Sequence, residues 1–157
     1  MRNRQKGVYL VEFALVGAVF VVILFALLEF GRALYVMNSL GEATRRGVRL
    51  AVVCPINDPA IREVATFSPS GGGGNSSLIT GLTTANVVVE YLNTAGGVIG
   101  TPTASFVQIR SVRVRIANFT HTFLIPFFDI SFVTPGFPAT LPRESLGIPR
   151  QGEIVSC

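Results

Sequence analysis

A run of 16 uncharged and mostly apolar residues, 13–28, constrains this chain more than any other feature. Extended back to Val8 it has 21 residues and one interruption, Glu12. As a helix it would be roughly 31 Å long, about the thickness of the hydrocarbon core of a bilayer. Three cations and no acid precede it: Arg2, Arg4 and Lys6. This arrangement predicts a membrane span with the short basic leader in the cytoplasm and the rest of the chain outside.

Two interpretations of this segment compete. A cleaved secretory signal peptide has an apolar region of about 7–15 residues that ends in a small-residue cleavage site. Here the helical pattern continues past the span without such a site, which favours a retained helix processed, if at all, before the apolar run. Glu12 is unusual in either case, because an ionisable group inside a span is costly and is by default a functional candidate.

The helix is expected to continue to about Val53, since Pro55 follows and the residue before a proline disfavours helix. A sheet is expected to pack on its stripe of Leu34, Met37, Leu40 and Val48. Three glycines in this half fit two interpretations, close packing on the sheet or close approach of neighbouring helices: Gly31, Gly41 and Gly47. Two acid–arginine pairs have the spacing of helix-surface ion pairs: Glu29 with Arg32, and Glu42 with Arg46.

The residues after Val53 are predicted to be rich in β-strands. Alternation of Val112, Val114 and Ile116 with arginines predicts an antiparallel sheet with one solvated face. The expected elements are a short helix within 57–67 capped by Asp58, a Gly-rich loop 68–77, strands at 86–93, 106–122 (with a bulge near 110–111) and 130–133, an irregular stretch 135–149, and an edge strand at 153–157.

The two cysteines, Cys54 and Cys157, permit one disulfide. An even pair in an extracytoplasmic domain favours a bond, and closing a loop of about 100 residues stabilises by up to roughly 4.7 kcal/mol in the entropic model. The alternative is two unpaired thiols. A zinc site needs more ligands than two cysteines and one histidine supply.

Composition argues against nucleic-acid binding and catalysis. The net charge of +4 comes from cations dispersed along the chain, which favours a solvated surface over a phosphate-binding patch. The nine acids form no paired-carboxylate motif. His121, the sole histidine, is expected to be a surface or strand residue and no partner of Cys54. We therefore expect neither an enzyme nor a cofactor or metal site.

The N-terminal third resembles TadE-like minor pilins of the Tad (Flp) branch of type IV pilin-like proteins. The segments that carry the resemblance are Gly7, Glu12 and Phe13 with Ala14-Leu15-Val16, then Leu28-Glu29-Phe30-Gly31-Arg32-Ala33-Leu34-Tyr35, then Ala43-Thr44-Arg45-Arg46-Gly47-Val48-Arg49. The rest matches loosely, up to a polar run at 139–143. The resemblance implies cleavage by a prepilin peptidase between Gly7 and Val8, which makes Glu12 the fifth residue of the mature chain and, with Phe13, an assembly determinant.

Together these features predict an α+β protein: a long N-terminal transmembrane and amphipathic helix packed on a small antiparallel sheet. Its regions would be a cleavable leader 1–7, a span 8–28, an amphipathic half-helix 29–53 and an extracytoplasmic domain 54–157. The expected location is a bacterial or archaeal cytoplasmic membrane, or the pilus itself.

The function that these features favour is a structural subunit of a Tad-type pilus or of its assembly machinery. Its partners would be other pilin-like subunits, the assembly machinery, the peptidase and membrane lipid. Two alternatives are a single-pass scaffold or assembly factor that does not enter a filament and a signal-anchored extracytoplasmic enzyme. The pilus would serve adhesion, secretion or DNA uptake.

Overall fold

A long N-terminal helix, α1, dominates the computed structural model, which describes residues 5–68, 73–125, 130–148 and 157. The helix is continuous over Gln5–Ala51. It therefore ends slightly before the expected Val53, and the amide of Cys54 still donates to the carbonyl of Leu50 at 2.9 Å. The long helix and a small antiparallel sheet confirm the predicted α+β class.

The described residues form two compact units. The first contains α1 up to Tyr35 together with 121–132. The second contains 36–120 and the residues from Val133 onward.

The second unit contains a three-stranded antiparallel sheet in the order β1-β2-β5. The central strand β2 (Ser111–Ile116) pairs with β1 (Val87–Leu92) on one side and β5 (Ala139–Pro142) on the other. Alternate residues of β2 are buried, as their period of two predicts. β1 and β2 confirm strands within 86–93 and 106–122.

Two of the strand predictions were wrong in extent. Residues 106–122 do not form one bulged strand. Phe106–Gln108 is a 3₁₀ turn, and the strand conformation is interrupted after β2 at Asn118, whose φ is +54°. It resumes as β3 (Thr120–Thr122), which pairs with β4 (Ser131–Val133) in a separate two-stranded sheet. The stretch 135–149 is not wholly irregular, because it contains β5. The expected edge strand at 153–157 lies outside the described residues except for Cys157.

The sheet packs on α1, but on a helix face different from the expected one. Leu40 and Val48 are buried as predicted, whereas Leu34 is 44% exposed and Met37 only partly covered. The buried helix residues of this unit are Val36, Leu40, Ala43, Thr44, Gly47, Val48 and Ala51. Four of them, Val36, Leu40, Val48 and Ala51, form one hydrophobic core with the buried side chains of β1 and β2, including Tyr91, Val112 and Val114. The face turned to the sheet is thus rotated toward Val36 and Ala43.

The short helix α2 (Pro59–Ala65) has the predicted cap, since an Asp58 carboxylate oxygen accepts the Ala60 amide at 2.9 Å. Ile61 and Ala65 turn into the core. Of the Gly-rich loop, residues 69–72 lie outside the described part. Gly73 and Gly74 have positive φ angles.

Later residues cap the end of α1. Carbonyl groups in the last turn of a helix have no partner inside the helix. Here the amide of Leu146 donates to the Val52 carbonyl at 3.2 Å, and the amide of Gly147 donates to the Val53 carbonyl at 2.6 Å. Cys54, next along the chain, is fully buried and joined to Cys157 by a disulfide with a Cα–Cα distance of 5.7 Å.

Candidate functional site

The N-terminal part of α1 presents an uninterrupted apolar surface. Gly7–Ala51 is one helix, long and apolar enough to cross a membrane. Between residues 13 and 28 nearly every side chain is exposed, including Phe13 at 80% and Phe20 at 60%. An apolar surface of this length is unfavourable in water and suits lipid or neighbouring helices. The helix therefore suggests that the protein is anchored in a membrane.

The residues of the expected processing site all lie within this helix. Gly7 and Val8 are in its exposed first turns, and a Cβ added to Gly7 would meet nothing within 4 Å. Val8 and Glu12 are four residues apart and so share one face. Glu12 is exposed and forms no ion pair with the side chains that the structure describes. Phe13 lies next to it, on an adjacent part of the helix surface.

A cluster of polar contacts begins directly after the apolar run. Glu29 is only 8% exposed, and its carboxylate accepts hydrogen bonds from Arg32 Nη2 at 2.8 Å and from the backbone amide of Leu124 at 3.0 Å. Arg32 Nη2 also donates to the carbonyl of Thr122. Both groups of the helix thus bind backbone at the end of β3 and just after it, all within the first unit. We call these contacts the Glu29 clip.

His121 lies next to the clip and is buried, at 4% exposure, so it is a strand residue and not a surface one. Its ring packs against Phe123 and Phe132, with centroids 5.3 and 5.5 Å away. Nε2 has no hydrogen-bond partner among the described residues. Burial lowers the pKa of His121, and the nearby Arg32 lowers it further. The imidazole is therefore neutral near pH 7, which suits its aromatic surroundings.

A second charged cluster lies on the outer face of the sheet. The Glu90 carboxylate accepts Arg113 Nε at 2.6 Å and Arg115 Nε at 3.1 Å. Burial raises the pKa of Glu90, but the hydrogen bonds and charges of the two arginines outweigh burial and leave it below its usual value. The described residues contain no cluster of three or more metal-ligating side chains.

The fold and this site define a class: an α+β protein whose long N-terminal helix suggests a membrane anchor. Residues 7–49 match the model of the TadE-like protein family, which confirms the resemblance over that segment. The family is a structural one associated with pili, and the match therefore points to a Tad pilus-associated protein. Comparisons with curated proteins and with solved structures found no match.

Sequence reasoning identified some of these residues and missed others. The ion pairs Glu29–Arg32 and Glu42–Arg46 are present, as helical spacing predicts. The bond from Leu124 to Glu29 was not foreseen, because it joins residues 95 positions apart. The one available signal was a glutamate at the end of an apolar run, where a lone carboxylate is costly and needs partners.

Proposed function

We propose that this chain is a TadE-like minor pilin, a structural subunit that contributes to the assembly or structure of a Tad-type pilus. In this proposal a prepilin peptidase cuts between Gly7 and Val8, and the helix from Val8 onward spans the membrane before assembly. The observation that carries the proposal is the family match over 7–49. Within the span 8–28 of that segment, the exposed helix presents one acid, Glu12, among apolar side chains.

Glu12 would act as an assembly contact. In lipid, a carboxylate near the end of a span reaches the headgroup region, so its cost there is modest. Between packed helices the carboxylate cannot reach the headgroup region, so it needs a cation as a partner. After the cleavage site no basic residue precedes Arg32, so the cation nearest to Glu12 is the α-amino group that cleavage creates at Val8. That amine can pair with Glu12 of its own chain, one turn away, or with Glu12 of a neighbouring subunit.

The test is Glu12→Gln, which keeps the size of the side chain and removes its charge. We expect this variant to be cleaved and inserted normally but to be lost from complexes with its pilin partners. Co-purification with those partners and pilus counts by electron microscopy measure assembly, and N-terminal sequencing of the membrane-bound protein reports cleavage, with Val8 expected first.

The matched control is Glu42→Gln on the same helix, where the acid pairs with Arg45 and Arg46 at an exposed site outside the span. It should assemble like the wild type. Normal pili and normal co-purification of Glu12→Gln would show that the charge is no assembly contact. A retained Met1 would instead favour the membrane-anchored scaffold that does not enter a filament.

A further inference from the structure

We propose that the ribbon formed by β3 and β4 is a second membrane contact, which lies in the lipid headgroup region beside the point where α1 leaves the bilayer. The ribbon is defined here by its described residues 121–125 and 130–132. The inference rests on the proposed membrane insertion of residues 8–28, and it adds a lipid-binding surface that the helix alone does not have.

The position of the ribbon along the helix follows from the Glu29 clip. Glu29 comes directly after Leu28, the last residue of the apolar run, so it lies at the boundary of the hydrocarbon core when 8–28 is embedded. The Leu124 amide is 3.0 Å from the Glu29 carboxylate, and the Thr122 carbonyl is bound by Arg32. The backbone of the ribbon is therefore held at the depth of the membrane surface.

The side chains at this end of the ribbon suit that depth. Leu124 is 69% exposed and Ile130 is 47% exposed. Their strands are joined by the Phe123 amide, which donates to the Ile130 carbonyl at 2.8 Å, so both exposed groups lie at the same end. Transfer of such exposed apolar side chains out of water is favourable.

The polar groups at the clip favour lipid over a protein as the occupant. The guanidinium of Arg32 neutralises Glu29 while about a third of its side chain stays exposed, where it can reach a lipid phosphate. The ribbon also belongs to the same compact unit as the apolar part of α1, and Glu29 and Arg32 attach it directly after the apolar run. A bilayer that surrounds 8–28 therefore reaches Leu124 and Ile130 without any rearrangement.

The absence of tryptophan from the sequence permits a direct test. Leu124→Trp places the only tryptophan of the chain on the ribbon, and its emission is excited selectively over that of the tyrosines in the full chain reconstituted into phosphatidylcholine–phosphatidylglycerol vesicles. We expect blue-shifted emission that is quenched strongly by a lipid-borne nitroxide near the headgroups and weakly by one at the bilayer centre. Acrylamide, a quencher dissolved in the water, should quench this tryptophan less than it quenches a fully solvent-exposed tryptophan.

Two further single-tryptophan variants separate this inference from the proposed function. Phe20→Trp, in the span, should be quenched by the deep nitroxide. Val107→Trp, 78% exposed in the second unit, reports whether that unit also contacts lipid. If Phe20→Trp escapes the deep quencher, membrane insertion and the ribbon contact both fail. If it is quenched while Leu124→Trp is not, only the ribbon contact is overturned.

Blue-shifted emission at 124 without lipid quenching would mean that a protein covers the ribbon, and equal quenching at 107 and 124 would mean that the whole domain lies on lipid. Both results would overturn the inference.

The clip itself is tested in the Leu124→Trp background. Adding Glu29→Ala removes the acceptor of the Leu124 amide, so shallow quenching at 124 should fall and acrylamide quenching should rise. Adding Glu42→Ala, which removes an exposed acid of the same helix, should change neither. Unchanged quenching with Glu29→Ala would overturn the role of Glu29 in holding the ribbon at the bilayer.

Discussion

At the scale of single residues, Gly47 is the glycine of α1 that leaves the least room for a side chain. A Cβ built there would lie 2.8 Å from the Cβ of Ala65 and 3.2 Å from Cγ1 of Val114. Neither neighbour is the free end of a flexible side chain, so the helix, α2 and β2 would have to move apart. Of the two interpretations of the helix glycines, close packing within the domain therefore holds for Gly47. At Gly31 an added Cβ meets nothing within 4 Å.

We expect Gly47→Ala to destabilise the domain by about 1–2 kcal/mol, because overpacking costs more than the gain of about 1 kcal/mol in helix propensity. Urea denaturation of the full chain in detergent measures the change. Gly41→Ala is the control: the nearest atom to its added Cβ is Arg45 Nη2 at 3.8 Å, so this variant should be as stable as the wild type or more so. A Gly47→Ala protein more stable than Gly41→Ala would refute the tight packing.

At the scale of elements, ion pairs between β1 and β2 help to set the register in which the two strands pair. Glu90 lies directly opposite Arg113 in the antiparallel pair, and Arg115 is two residues further along the same face. Cross-strand pairs of opposite charge favour one register over its neighbours, because a shift by one residue would turn these charges toward the core. The cluster therefore supports the register that buries Val112 and Val114.

This cluster predicts a specific acid sensitivity. Because the pKa of Glu90 is lowered on folding, its stabilising effect is complete above the unfolded pKa of about 4.3 and is lost as the pH falls through the folded value. Glu90→Gln should cost roughly 1–2 kcal/mol at pH 7 and progressively less below pH 4. Unfolding free energies of both proteins between pH 3 and 7 test this, and a difference that does not change with pH would contradict it.

At the scale of the whole molecule, the disulfide Cys54–Cys157 closes a long loop, with a sequence separation of 103. It ties the end of the chain to the segment that follows α1, next to the residues that cap the helix carbonyls. Most of the second unit lies between its two ends.

Reduction should therefore lower the unfolding free energy by about 2–5 kcal/mol. Thermal denaturation with and without reductant measures the loss, and a Cys54→Ala/Cys157→Ala variant should not respond to reductant. Two titratable thiols in the unreduced, unfolded protein would exclude the bond.

The sequence by itself determined the features that depend on neighbouring residues. The apolar run predicted α1, and the alternation of apolar and charged residues predicted the buried face of β2. Asp58 and Pro59 predicted the start of α2, and the three-residue spacing of Glu29 and Arg32 predicted their ion pair. Each is a local pattern whose period or cap needs no information about the rest of the chain.

The contacts between segments that are distant in the sequence were decided only by the tertiary structure. β5 is four residues long and ends in Pro142, a weak strand signal, and it forms only because β2 offers an edge. The helix face turned to the sheet was decided by Gly47, which lets α2 and β2 approach on the side of Val36 and Ala43. The ribbon that meets Glu29 depends on the break at Asn118 and on a hydrogen bond across 95 residues. Such contacts are selected by the burial and hydrogen bonding of the whole fold, so no local pattern contains them.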